Sequence, residues 1–485
     1  MSAALMKSRR KLGVVGGLGP LASADVFFKL VKATPALSDA EHADIIFEQR
    51  PFRGSGSGSA ATTERKLYIF DMIRDFEKRG VSTIVLPCFL SHTFIDELKA
   101  NTSLPIANIV EAVRSHVQRK FPDAKRIGVL ASDYVREMRL FERYFSAPRF
   151  EVVHPRALGD TDLVTQAVYG ADGIKSGNLG GRAVALLRAA CDDLTDQGVD
   201  VIVPGMTEIA LVAEEMGPLK VPLVDSNMAY AQYVVSDRSG SPDRVFKVGV
   251  VGGVGPAATI DFLNKIVRNT PASRDQDHIK LLVEQNPQIP DRTENLVGNG
   301  ADPTISLYAT CKKLEDGEAD LIAIPCNTAH AFVDRIQPYL GIPIVNMLTV
   351  TVGYLREAFP GLRDVGVLAT SGTIDSGVYR KALESRGLRQ VAPGPALQAR
   401  VMDAIYGKKG VKAGFTTGEC QEDLAAAVEG LIVEGVEVIV LGCTELPMLL
   451  PDGEFIGGNG VRVRLVDPTE VLARQCVAHA MGAAD

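Results

Sequence analysis

Long apolar runs are missing from this chain of 485 residues. Its longest are strand-length, well short of the roughly 20 residues a membrane span needs, so no membrane association is expected. The first residues place their charges directly before the first apolar run, with no long apolar stretch and cleavage site behind them, which predicts a cytoplasmic protein. Basic blocks are absent, and with a net charge of −7 this argues against a nucleic-acid partner. Cysteine is sparse: the seven residues form neither a CxxC pair nor a regular framework, so reduced thiols and no metal centre are expected. Cys191, Cys311, Cys420 and Cys476 fall in helical patterns and read as packing residues.

What is present is ordinary for a soluble protein, 46% apolar and 23% charged, on a chain long enough for two or more domains. The chain contains itself twice. Lys11-Leu-Gly-Val-Val-Gly-Gly-Leu-Gly-Pro20 recurs as Lys247-Val-Gly-Val-Val-Gly-Gly-Val-Gly-Pro256, and Val81-Ser-Thr-Ile-Val-Leu-Pro-Cys88 recurs in the run ending at Cys326. Arg126-Ile-Gly-Val-Leu-Ala-Ser132 matches Asp364-Val-Gly-Val-Leu-Ala-Thr370, and the run ending Met206-Thr-Glu208 matches the run ending Cys443-Thr-Glu445. A near-constant offset over this length means a duplication, with domains at 1–236 and 245–485 and a polar linker at Ser236–Asp243. Apolar β-branched runs alternate with helical segments such as Tyr68–Lys78 and Gln421–Glu434, which predicts α/β architecture with parallel sheets. Each half starts a sheet twice, so two doubly wound lobes with a cleft between them are expected per half.

The run Leu321-Ile-Ala-Ile-Pro-Cys326-Asn-Thr-Ala-His330 stops at a cysteine and passes into small polar residues, as a buried strand does when it delivers a thiol to its carboxyl end. Val436-Glu-Val-Ile-Val-Leu-Gly-Cys443-Thr-Glu445 has the same build. Ligands in such sheets bind beyond the carboxyl ends of the strands. Two thiols on opposite walls of a cleft can exchange the roles of base and acid at the α-carbon of an amino acid. With a reference pKa near 8.5 roughly 3% of a thiol is thiolate at pH 7, and a neighbouring cation raises that fraction. A single cysteine is as readily a buried packing residue, but two at equivalent strand ends argue against chance. Asn327, Thr328 and Thr444 fall at predicted helix starts, where they either help free N–H groups hold a carboxylate or serve as plain caps. His330 reads equally as a structural hydrogen-bonder or a site residue. A rival reading is dinucleotide binding at Gly253-Val-Gly255-Pro-Ala-Ala258, with Glu284 as the ribose-binding acid. Pro256 at the helix start and Asn286-Pro-Gln-Ile-Pro290, which looks like a binding loop, weigh against it.

At these residues the second half resembles the aspartate/glutamate racemase family, the PLP-independent two-cysteine enzymes, and is nearest their aspartate branch. The resemblance rests on Gly252-Gly-Val-Gly-Pro-Ala-Ala-Thr259, Asn286-Pro-Gln-Ile-Pro-Asp-Arg-Thr293, Pro325-Cys-Asn-Thr-Ala-His330 and Gly442-Cys-Thr-Glu445. It implies cofactor-independent racemisation of an amino acid, aspartate or glutamate first, with Cys326 and Cys443 as the acid/base pair. It also implies that Asn327, Thr328 and Thr444 hold the α-carboxylate, that Arg292 and Lys412 meet the side-chain carboxylate, and that Asn286 belongs to the substrate loop.

The first half departs at the chemistry. Cys88 and His92 remain and leave a possible site at Cys88, yet Met206 stands in place of Cys443, Phe89 and Leu90 in place of Asn327 and Thr328, and Gly56 in place of Arg292. A thioether carries no proton, so two-thiol exchange is impossible there. The expectation is a degenerate, non-catalytic partner, with one-cysteine decarboxylase or isomerase chemistry on an apolar molecule as the alternative. Single-repeat members of the family commonly pair as homodimers, which implies an internal pseudo-dimer of the two halves, with further oligomerisation open. From a different class, a small-acid binding or regulatory protein on a racemase fold would carry the same residues.

Overall fold

The computed structural model describes residues 10–53, 59–157, 162–236, 245–298 and 300–482. The chain divides into two units, Met1–Arg244 and Val245–Asp485. The predicted linker beyond Ser236 and the position of Gly56 lie outside the described residues.

In the first unit, β1 (Lys11–Gly16), β2 (Asp44–Gln49), β3 (Thr83–Val85) and β4 (Ile106–Ala107) form a parallel sheet in the order β2-β1-β3-β4. A second parallel sheet, β6-β5-β7, is built from β5 (Arg126–Leu130), β6 (Glu151–Val153) and β7 (Val201–Pro204). The second unit repeats the plan. Its β8 (Lys247–Gly252), β9 (Lys280–Gln285), β10 (Leu321–Ala323) and β11 (Ile344–Val345) run in the order β11-β10-β8-β9, all parallel. Its other lobe holds β12 (Asp364–Leu368), β13 (Arg389–Val391), β14 (Val438–Leu441), β15 (Gly453–Ile456) and β16 (Arg462–Val466) in the order β13-β12-β14-β16-β15.

The central strands are apolar along their length because helices cover both faces: β7 and β14 are buried at every residue. The helical patterns at Tyr68–Lys78 and Gln421–Glu434 lie in helices Ser59–Lys78 and Glu419–Val433, the latter ending one residue short of Glu434. One departure from the parallel expectation is β15, which pairs antiparallel with β16. The connecting Gly457-Gly-Asn-Gly460 makes the reversal possible, with Gly460 at φ +81 and the Gly457 N–H on the Val461 carbonyl at 2.8 Å.

Each chain segment returns to its first lobe through its last helix. Helix Pro468–Ala480, capped by Asp467, buries Leu472 and Cys476 among Val248, Phe262 and Leu321. Beside it Lys265 and Asp467 form a buried ion pair at 2.5 Å. In the first unit helix Ser226–Val235 packs on helix Pro20–Ala33, and Lys29 pairs with Asp225 at 2.9 Å. These helices tie lobe to lobe and hold the cleft walls in register. Among the described residues no helix is long and apolar enough to cross a membrane.

Candidate active site

Cys326 follows the carboxyl end of β10 in the first lobe of the second unit. Its N–H donates to the Ile324 carbonyl at 2.8 Å, a tight turn that swings the side chain out of the sheet. Cys443 follows β14 in the other lobe, one residue after Gly442. The Gly442 N–H donates to the Leu368 carbonyl at 2.6 Å, and a Cβ there would stand 3.1 Å from the Ala369 methyl and 3.2 Å from the Tyr379 ring, so any larger residue would press on these neighbours. Both thiols line one narrow cavity. The predicted helix starts are single 3₁₀ turns, Thr328–Ala331 and Leu446–Met448, without side-chain caps. Asn327, Thr328 and Thr444 are therefore not spent on capping, and all three line the cavity.

Asn327 is 2% exposed, and its Oδ1 accepts the Tyr379 hydroxyl at 2.5 Å. Its Nδ2 is buried with no partner. Thr328 joins a cluster of hydroxyls, 2.7 Å from Thr373 and 3.4 Å from Thr370, and Thr293 donates to Thr370 at 3.0 Å. Arg292 opens helix Arg292–Val297, whose cap Asp291 accepts the Thr293 and Glu294 N–H groups. Its Nη1 donates to the Pro290 carbonyl at 3.1 Å, while its Nε is buried and unpartnered. Burial works against the Arg292 charge, but the adjacent Cys326 sulfur and the Asp291 carboxylate outweigh it and hold the guanidinium above its ordinary range. Asn327 and Arg292 both line the cavity and each carries a buried donor without a partner, Nδ2 and Nε, so an anion that reached them would relieve the cost of leaving them unpaired.

Glu445 organises the opposite wall. Its carboxylate accepts Lys412 Nζ at 2.6 Å, the Cys443 thiol at 3.1 Å and the Thr444 hydroxyl at 3.3 Å. Burial pushes the Cys443 thiol well above its ordinary value; Glu445 adds to this and Lys412 opposes it. For Lys412 burial favours the neutral amine, but Glu445 and the Cys443 sulfur prevail and keep it charged. The Tyr406 ring lies 5.4 Å from Lys412 Nζ, and its hydroxyl reaches Thr293 at 3.4 Å.

Of the residues singled out from sequence, Cys326, Cys443, Asn327, Thr328, Thr444, Arg292 and Lys412 share this cavity. Asn286 does not line it: its Nδ2 donates to Thr310 at 3.0 Å and its Oδ1 accepts the Gln288 N–H at 3.1 Å, so its amide stitches the loop together. His330 is structural, with Nδ1 2.9 Å from the Cys326 carbonyl and Nε2 accepting the Met347 N–H at 3.0 Å; burial lowers its pKa and keeps it neutral. The glycine fingerprint serves close packing. Gly255, at φ +120, faces the Glu445 carboxylate, where a Cβ would sit 2.5 Å from Oε1, and Glu284 pairs with Lys313 at 2.5 Å. The helical cysteines 191, 311, 420 and 476 are buried, and burial drives Cys191, Cys311 and Cys476 up to about 12. Among the described residues no group of His, Cys, Asp and Glu side chains could hold a metal ion.

Sequence reasoning missed Glu445, Tyr379, Tyr406, Thr293, Thr370 and Thr373. Thr-Glu after Met206 and after Cys443, and Tyr-Gly before each of Lys175 and Lys412, recur in both halves, and that recurrence could have pointed to Glu445 and Tyr406. In the first unit Cys88 lines a separate narrow cavity with Met206, Lys175 and Glu208.

The profile of the Asp/Glu/Hydantoin racemase family matches residues 15–234 and again 251–476. The broad-specificity amino-acid racemase RacX of Bacillus subtilis is 28% identical over 235 residues, 48% of this chain and 96% of that protein. A glutamate racemase of Corynebacterium kroppenstedtii is 32% identical over 147 residues, 30% of this chain and about half, 48%, of that protein's length. Among solved structures, an aspartate racemase of Picrophilus torridus is 30% identical, with a TM-score of 0.42, covering 49% of this chain and 94% of that one.

Proposed function

The chain belongs to the Asp/Glu/Hydantoin racemase family, and from that premise we propose that its second unit racemises an acidic amino acid, aspartate or glutamate, by proton exchange between Cys326 and Cys443. One observation carries the reading: thiols from two lobes share a cavity with Arg292 and Lys412 and with two unpartnered buried donors.

In this reading the α-carboxylate takes Asn327 Nδ2 and the Thr328 and Thr444 hydroxyls, the latter turning from its 3.3 Å contact with Glu445, and Tyr379 keeps the amide turned to present its N–H. The side-chain carboxylate takes Arg292 Nε. Arg292 and Lys412 are offset by Glu445 and the Cys326 thiolate, so the site is neutral overall and meets the substrate carboxylates locally, through the Arg292 guanidinium and the Asn327 and threonine donors. Cys326, beside the Arg292 guanidinium, acts as thiolate and removes the α-proton. Cys443, held as thiol by burial and Glu445, delivers its proton to the opposite face. The product leaves with Cys326 protonated and Cys443 as thiolate, the state that accepts the other enantiomer. Glu445 is a positioning residue: it orients the Cys443 S–H and anchors Lys412.

The test is a polarimetric screen of the proteinogenic amino acids with purified protein and no added PLP or metal. Loss of rotation with aspartate or glutamate is the expected result. A preference for neutral or basic amino acids would overturn the substrate assignment, and calorimetric binding of an acidic amino acid with rotation unchanged would select the binding-protein alternative.

A further inference from the structure

The two units line their cavities with different chemistry at matched positions. Where the second unit hydrogen-bonds Asn327 to Tyr379, the first stacks Phe89 on Phe141 with centroids 5.5 Å apart. Where the second joins Thr328 to Thr373, the first sets Leu90 and Val135. Both members of each pair change together. Loss of one partner alone would strand a buried polar group, whereas joint replacement leaves a dry, packed wall. Met206, 6% exposed in the place of Cys443, continues that wall.

The polar end of the cavity is kept. Lys175 pairs with Glu208 at 2.6 Å and Thr207 reaches the same carboxylate at 3.3 Å, repeating Lys412, Glu445 and Thr444. Arg65, on helix Ser59–Lys78, also lines the cavity; its guanidinium lies 4.9 Å over the Phe52 ring and has no carboxylate partner among the described residues. With Lys175 neutralised by Glu208, Arg65 leaves one positive charge facing an apolar wall. Cys88 is the only one of the seven cysteines that is not buried, so it reports on occupancy.

We propose that the first unit binds a small monocarboxylate with an apolar body, its carboxylate at Arg65 and its body against Leu90, Val135 and Met206. It binds this ligand without two-thiol inversion, because the thioether of Met206 stands in place of a second thiol. This inference does not depend on the chemistry assigned to the second unit.

The experiment follows iodoacetamide modification of Cys88 in the full-length chain by peptide mass spectrometry, with 3-methylbutanoate as the probe and succinate as the polar dianion control. Alkylation tracks the unliganded fraction, so 3-methylbutanoate at ten times its Kd should slow Cys88 about tenfold. Succinate at the same concentration should leave the rate unchanged. Arg65→Gln should weaken protection by about tenfold with the far-UV circular dichroism preserved. Should that variant fail to fold, Leu90→Thr at the apolar end should weaken binding about fivefold. Calorimetry on Cys88→Ala should still register 3-methylbutanoate. No protection by 3-methylbutanoate, equal protection by succinate, or unchanged protection in a folded Arg65→Gln or Leu90→Thr would each overturn the proposal.

Discussion

Replacing Glu445 by glutamine keeps the shape of a side chain that is 4% exposed but removes the charge that both Cys443 and Lys412 face. Two consequences can be sized. Breaking a buried ion pair by removing one partner costs about 3–5 kcal/mol. The Lys412 side chain is 25% exposed, so water recovers part of that and about 2–3 kcal/mol remains. In a unit of this length each 1 kcal/mol moves Tm by about 2–4 °C, so the second unit should melt about 4–12 °C lower. The thiol responds in the opposite sense. Glu445 raises the Cys443 pKa, and once it is neutral the freed Lys412 ammonium favours the thiolate. A nearby charge of this kind moves a pKa by about 1–3 units, so the pH at which Cys443 becomes reactive should fall by that amount. The assay is the rate of iodoacetamide modification of the Cys443 peptide against pH, in wild type and Glu445→Gln, with calorimetry in parallel. An unchanged reactivity profile, or one shifted to higher pH, would refute the account of how this wall is organised.

Other predictions concern single contacts. His92 is fully buried and neutral, with Nδ1 2.9 Å from the Cys88 carbonyl and Nε2 accepting the Ile109 N–H at 3.1 Å; burial lowers its pKa from 6.5 to about 4. Its contribution is complete above the unfolded pKa of 6.5 and is lost as pH falls to about 4, a change of about 3 kcal/mol that calorimetry should find in wild type and much reduced in His92→Gln. Arg292→Ala should lower kcat/KM for aspartate by about a hundredfold, the scale of a lost charged hydrogen bond, and should lower any activity on alanine by less, since alanine loses only the cation beside Cys326. Tyr379→Phe strands Asn327 Oδ1 and frees the amide to turn, so stability should fall by about 1–3 kcal/mol in a denaturant titration and KM for aspartate should rise.

The duplication and the strand-end thiols were legible because parallel strands buried on both faces leave continuous apolar runs, and a run that stops at Cys326 or Cys443 shows where the sheet ends. The partners of those thiols were less visible. Lys412 reads as a free cation until Glu445, far along the chain, is found 2.6 Å away. Thr370, Thr373 and Tyr379 belong to the restart of the second lobe, and nothing local says that they meet Asn327 and Thr328. Asn286 misled in the other direction, since a polar residue in a proline-rich loop suits binding and loop closure equally, and here its amide closes the loop. In the first half, Phe89 read alone looks like a lost site residue; only the stacking of Phe141 on it reveals a paired exchange. The 3₁₀ turns after the strand ends were equally hidden, because Thr and Asn mark a helix start whether or not the helix continues.

The central claim, that Cys326 and Cys443 serve opposite faces of one α-carbon, is tested most directly by α-proton exchange of D- and L-aspartate in deuterium oxide, followed by NMR for wild type, Cys326→Ser and Cys443→Ser. In wild type one deuteron should enter the α-position with each inversion. Each variant should lose racemisation by about 10²–10⁴-fold, as expected when one proton-transfer group is removed. Each should still exchange one enantiomer without inverting it, and the two variants should exchange opposite enantiomers. Racemisation at the wild-type rate in either variant, or exchange of the same enantiomer by both, would contradict the two-thiol account.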